Sequence, residues 1–265
     1  MNETGTFGRL ATLALLLCGL SAFSVPVAAQ TRSAKAPAPH AVRTSSTPKA
    51  VVELFTSQGC SSCPAADAML SQLATHDDLI AISLSVDYWD YLGWKDTLAQ
   101  AKFSDRQKAY SKLLGDGMVY TPQMVINGRA HVNGSDEAKI KRAIDKTSDA
   151  FANALVPVRM SATDGRLIVE VGGDQETKAK EATVWLAVIS PAVEVPIPRG
   201  ENKGKTVTYT NVVRDLIPIG TWNGKQMTVQ LQRDSFMHSQ AERCAVLVQQ
   251  GRGGPIVGAA LLTKL

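Results

Sequence analysis

Cysteine is scarce in this chain, with four in 265 residues. That is too few for a disulfide scaffold, so position matters more than number. An excess of one charge is nearly absent too. Lys and Arg number 28 against 24 Asp and Glu, a formal net charge of +4, which argues against a nucleic-acid-binding surface. No internal repeat, Ser-His-Asp elbow, phosphate loop or zinc-protease helix occurs, and the enzyme classes built on those motifs are set aside. What is present is ordinary: 45% apolar and 20% charged residues, enough to bury a core in one large or two small domains.

The one long uncharged run comes first. Residues 10–29 follow Arg9, contain the leucine-rich stretch from Leu13 to Leu17, and close with Pro26-Val27-Ala28-Ala29. This is the pattern of a signal peptide over residues 1–29, cleaved near Ala29. Cys18 lies inside it. An uncleaved membrane anchor is the alternative, and lipidation of Cys18 is disfavoured by the bulky Leu17 before it. The protein is therefore expected to be exported, periplasmic or secreted, in an oxidising compartment, with no membrane association beyond that segment. Residues 30–49, rich in Pro, Ala, Ser and Thr, read as a flexible linker in which His40 is solvated.

From Val51 strand-like and helix-like signals alternate. VVELFTS (51–57) and LIAISLSV (79–86) read as buried strands. Apolar spacing at Ala66, Met69, Leu70 and Leu73, and again at Phe103, Tyr110 and Leu114, reads as helix. PQMVI and RAHV flank Asn127-Gly128, a hairpin signal. Ser135 is expected to cap a last helix carrying Ile140, Ile144 and Phe151. The order β-α-β-α-β-β-α predicts an α/β domain over residues 50–154. After Val156 seven strand-like runs separated by turn residues predict an all-β sandwich-like domain over 155–265.

Chemistry concentrates at Gly59-Cys60-Ser61-Ser62-Cys63-Pro64, between a strand and a helix. A helix start offers unpaired N–H groups and positive potential, which favour a thiolate at Cys60 and leave Cys63 shielded in the first turn. Disulfide exchange needs that asymmetry: Cys60 attacks and Cys63 resolves. Pro64 is compatible with a helix start.

This arrangement resembles the thioredoxin-like superfamily over residues 50–153, with Tyr120-Thr121-Pro122-Gln123 opening the hairpin. The resemblance implies a cis Pro122 facing the cysteines, with Thr121 lending backbone hydrogen bonds to a bound partner. More narrowly, VELFTSQGCSSCPAAD, VDYWDYLGWKD and RGENKGKTVTYTNVVRDL resemble an uncharacterised family of secreted bacterial thioredoxin-like proteins. Enzymes of the superfamily often keep a buried carboxylate under the second cysteine to move its proton. Glu53 is the candidate, although Gly59 lengthens its spacing by one residue, which turns Glu53 toward the other strand face.

Three other readings of the cysteine pair stay open. Zinc lacks a second C-x-x-C or paired histidines. Copper held by both thiolates and His131 would make the chain a non-catalytic thioredoxin-fold binding module. A purely structural disulfide is the third. Elsewhere, the segment from Asp87 to Asp96 packs four aromatic residues into seven positions. Trp89, Tyr91 and Trp94 are candidates to line a substrate groove, against the reading of a rigid aromatic plug with Asp90 or Asp96 capping a helix. The segment from Arg199 to Lys205 reads as a hairpin loop or as one reaching over the motif. Cys244 reads as a buried spectator thiol, and His76 and His238 as surface residues. The leading expectation is thiol–disulfide exchange with protein or small-molecule thiols and disulfides, without cofactor or metal.

Overall fold

The computed structural model describes residues 42–43, 47–115, 117–163, 165–173, 181–237 and 241–265. The expected signal peptide with Cys18, most of the linker with His40, and His238 lie outside these residues. Twelve strands and three α-helices follow in the order β1 (Val42–Arg43), β2 (Ala50–Thr56), α1 (Cys63–Leu73), β3 (Leu79–Ser85), α2 (Ala101–Leu114), β4 (Gln123–Ile126), β5 (Ala130–Asn133), α3 (Glu137–Asn153), β6 (Val158–Thr163), β7 (Arg166–Val171), β8 (Ala182–Pro196), β9 (Thr206–Trp222), β10 (Met227–Gln232), β11 (Arg243–Gln250) and β12 (Ile256–Leu262). None of the described helices is long and apolar enough to cross a membrane.

The fold is mixed α/β, with one large mixed sheet and a second small sheet. The large sheet has eight strands in the order β12-β11-β8-β9-β3-β2-β4-β5, and the small one runs β1-β6-β7-β10. β2 pairs with β3 in parallel, and β3 meets β9 in parallel at Ser83 and Val212. The separate all-β domain expected after residue 155 is not seen: β9 pairs with β3, and strands from both halves share the large sheet. β9 covers the edge of β3, and β8, β11 and β12 extend the same sheet.

The physical reason lies in two-sided burial. Along β2, Val51 and Phe55 face the core beneath α2, while Val52 and Leu54 face Ala66 and Leu70 of α1 and Ile140 and Ile144 of α3. β8 and β11 alternate likewise. Ala187, Ile189, Ala245 and Leu247 join the α2 side, whereas Val184, Leu186, Val246 and Val248 pack on Leu167, Val169 and Val171 of the small sheet. Such strands need a layer on each side, since successive side chains point to opposite faces. α2 supplies one layer; α1 and α3 supply the other over β2, and the small sheet supplies it over β8 and β11.

Two local details refine the sequence reading. Asn127 and Gly128 take positive φ of 53° and 62°, the geometry of a two-residue hairpin. The Val51 amide donates to Asn127 Oδ1 at 2.8 Å, so the turn is also stitched to β2. The cap of α3 is Asp136, not Ser135. Asp136 accepts from the Lys139 amide at 3.0 Å, while the Ser135 amide and hydroxyl both donate to Asn133 Oδ1.

A buried ion cluster joins the two halves. Arg106 of α2 donates from Nε to Glu53 Oε1 at 2.6 Å and from Nη1 to Gln249 Oε1 at 2.8 Å. Tyr110 donates to Glu53 Oε2 and accepts from Gln249 Nε2. Burial opposes the charge on Arg106, and the Glu53 carboxylate outweighs it, holding the guanidinium above its ordinary pKa. Removing one partner of such a pair strands the other charge in the core. Glu53→Leu should destabilise the protein by roughly 3–5 kcal/mol in urea unfolding. A loss below about 1 kcal/mol would mean the cluster is dispensable.

Candidate functional site

The turn from Thr56 to Cys63 is built by short-range bonds. The Cys60 amide donates to Ser57 O at 3.1 Å and the Cys63 amide to Cys60 O at 3.2 Å. The helix begins at Cys63, with Ser62 before it and Pro64 in its first turn. Cys60 and Cys63 are joined by a disulfide, their Cα atoms 5.4 Å apart. Both are buried, Cys60 at 2% exposure, while Ser61 and Ser62 between them are exposed. Cys60 thus lies just ahead of a helix N-terminus, where unpaired amides favour an anion.

Three loops converge on this turn. Gly59 leaves no room for a side chain: a Cβ there would stand 2.9 Å from Trp89 Cβ. Trp89 in turn donates from Nε1 to Thr121 Oγ1 at 2.8 Å, and the Thr121–Pro122 bond is cis. The tryptophan therefore links the cysteine turn to the loop before β4. Gln58 is the second link. Its amide donates to Asp96 Oδ2 at 2.8 Å, and its Oε1 accepts from Trp94 Nε1 at 2.8 Å. Trp89 and Trp94 are thus half-buried braces of the turn, and Tyr91 stands out in solvent, 78% exposed.

The third loop is the one between β8 and β9. Asn202, 1% exposed, donates from Nδ2 to Cys60 O at 2.8 Å and Gln58 O at 3.0 Å. Glu201 Oε2 accepts from the Ser61 amide at 3.3 Å, and Lys205 Nζ donates to Asn202 Oδ1 at 2.8 Å. This loop is a hairpin connection that also lies on the motif.

Glu53 sits on the α2 face of β2, with Val51 and Phe55, and is committed to Arg106. It is buried at 1% exposure, so it is not an edge residue, and it faces away from the α1 side of the sheet. The carboxylate on the α1 side is Asp67, one helical turn after Cys63. Both residues belong to the buried stripe Cys63, Ala66, Asp67 and Leu70. Neither Asp67 oxygen has a hydrogen-bond partner. Burial first, and the nearby Asp96 charge, push its pKa up to about 7 against the lowering influence of Thr56. Asp96 is raised to about 6 by burial, opposed by the Gln58 and Leu98 amides that donate to it. Asp67, Gln58 and Asn202 were not singled out from sequence. Only Asp67 carried a signal, a carboxylate in phase with the core-facing positions of its helix.

Among the described residues no three His, Cys, Asp or Glu side chains group as metal ligands. His131 Nδ1 lies 3.0 Å from Tyr120 Oη. Cys244 is fully buried in the core against the small sheet, and burial pushes its pKa to about 12. His76 is exposed.

Residues 51–249 match the family described as "Protein of unknown function (DUF1223)". The chain belongs to that family. The match runs through the cysteine turn, the Trp89 loop and the loop carrying Asn202. A crystal structure of an Agrobacterium tumefaciens protein is 36% identical, covers 82% of this chain and 95% of its own, and superposes with a TM-score of 0.73. HBP35 of Porphyromonas gingivalis is similar in fold alone, with 14% identity, 83% and 76% of the two chains covered, and a TM-score of 0.53. No curated protein matches.

Two outcomes follow from the site. Asn202→Ala should cost about 1–3 kcal/mol of stability and speed reduction of the Cys60–Cys63 disulfide by dithiothreitol. An unchanged reduction rate would show that the loop does not shield it. For Asp67, the unfolded chain releases its proton near the ordinary carboxyl value of 3.8 while the folded chain keeps it up to about 7. Stability therefore falls as pH rises through that window, by at most about 1.4 kcal/mol per pH unit. Asp67→Asn should remove this component, and parallel stability curves for the two proteins from pH 4 to about 7 would contradict it.

Proposed function

We propose that this protein is an exported, thioredoxin-like thiol–disulfide exchange protein acting on the disulfides of protein or small-molecule partners. The observation that carries the reading is the Cys60–Cys63 disulfide at a strand-to-helix corner, with Cys60 immediately ahead of the first turn of α1. The element order β2-α1-β3-α2-β4-β5-α3 supports the fold assignment.

In the reduced pair, the Cys60 thiolate attacks one sulfur of a partner disulfide. A Cys60–partner disulfide forms, and the other partner sulfur leaves as a thiolate. Cys63 then attacks Cys60, restoring the intramolecular disulfide and releasing the second partner thiol. The pair loses two electrons and the partner disulfide gains them; the reverse sequence oxidises a partner dithiol. The Thr121–Pro122 loop positions the partner beside Cys60, a role favoured by its bond through Trp89 to the cysteine turn. Because Asn202 lies over Cys60, the partner must displace or bind along the Glu201–Asn202 segment.

One specific observation favours a structural disulfide instead, the 2% exposure of Cys60. Trapping separates the two. Cys63→Ser, incubated with oxidised glutathione, should accumulate a one-to-one mixed disulfide that disappears in the Cys60→Ser, Cys63→Ser double variant. Absence of any Cys60-dependent adduct in folded protein would refute the exchange reading.

A further inference from the structure

We infer that Asp67 is the group that takes the proton of Cys63 when Cys63 attacks the mixed disulfide on Cys60, and that returns it in the reverse direction. The inference rests on the exchange reading above and names the residue that drives its second step.

Cys63 has no exposed surface, so its thiol needs a base within the protein or brought through it. Three carboxylates are buried among the described residues: Glu53, Asp67 and Asp96. Glu53 is paired with Arg106 on the α2 face. Asp96 accepts the amides of Gln58 and Leu98, each at 2.8 Å, and so holds the cysteine turn in place. Asp67 alone has neither a cation nor a backbone amide on it; both oxygens are buried, and the Thr56 hydroxyl is the neighbour that favours its charged form. An unpaired buried carboxylate is costly and is not retained for stability. Its position suits the task, because residues four apart on a helix share a face, and Cys63 and Asp67 both lie on the buried stripe of α1.

The surroundings give Asp67 proton affinity and an outlet. Thr56 at the end of β2 presents a buried hydroxyl toward Asp67. Asp96 and burial raise Asp67's affinity for a proton. From β9, Tyr209 faces the same two carboxylates, which together with burial keep its phenol protonated. Asp67 also borders a cavity of about 440 Å³ between α1 and the start of β9, shared with Pro64, Lys205 and Thr208. The cavity opens to solvent beside Asp67, whose carboxyl stays buried, and Lys205 is a cation in its lining. In the resolving step the Cys63 proton passes to the Asp67 carboxylate and the Cys63 sulfur bonds to the Cys60 sulfur. The Cys60–partner bond breaks, and the partner leaves as a thiolate.

The test follows the two thionitrobenzoate releases when the reduced full chain meets Ellman's disulfide. The first reports Cys60 attack, and the second reports resolution by Cys63. In wild type the second release should rise with pH through a midpoint near 7, where Asp67 titrates. Asp67→Asn should leave the first release within about twofold and slow the second on the order of 10²-fold, with that midpoint lost. Asp67→Glu should restore part of the rate. A merely structural role would move neither the midpoint nor the ratio of the two steps. An unchanged second release in Asp67→Asn overturns the relay and leaves exchange intact. No Cys60-dependent first release in wild type overturns exchange itself. Should Asp67→Asn fail to fold, the wild-type profile decides: a midpoint near an ordinary thiol's, about 8.5, overturns the relay.

Discussion

The guanidinium of Arg106, enclosed in the core, constrains much of the rest of the molecule. A buried cation must be met by a carboxylate and by acceptors for its remaining N–H groups. Glu53, Tyr110 and Gln249 meet it from β2, α2 and β11. That requirement fixes α2 across the sheet and brings the last third of the chain beside the first. It also removes Glu53 from any chemistry at the cysteines.

With β11 and β8 held on that side, β9 lies beside β3, and the loop preceding β9 reaches the cysteine turn. The site is therefore made by both halves of the chain. The first half supplies the pair, its helix start and the Thr121–Pro122 loop. The second supplies Asn202, which caps the carbonyls of Gln58 and Cys60. Gln58 and Trp89 draw the aromatic loop into the same assembly. Residues from each of these segments surround the cysteine turn.

Much of this was legible in the sequence because it depends on short-range chemistry. The hairpin at Asn127–Gly128, the helices of the first half and the strand-turn-helix setting of the two cysteines are local signals. The longer spacing from Glu53 to Cys60 pointed to the other strand face, where Glu53 lies. What was not legible is long-range. Nothing in the runs after residue 155 says whether they close on themselves or extend a sheet begun a hundred residues earlier. A pattern buried on both faces suits either, and the decision rests on the edge of β3. Apolar spacing from Ala66 onward does not fix the first residue of α1, which is set by backbone bonds among Ser57, Cys60 and Cys63. Asn202 stands in a charged, glycine-flanked loop, and no local pattern marks a side chain whose partners are carbonyls some 140 residues away. Asp67 was readable in principle, as an acidic residue in phase with Cys63, Ala66 and Leu70.

The exchange reading requires Cys60, set just ahead of α1, to be an activated nucleophile. Titrating thiolate absorbance in the reduced full chain, with Cys60→Ser as the subtracted reference, tests it most directly. The placement predicts a Cys60 pKa below the ordinary value of about 8.5, with thiolate present at neutral pH. A Cys60 that titrates at or above that value would contradict the account and leave the pair as a structural bridge.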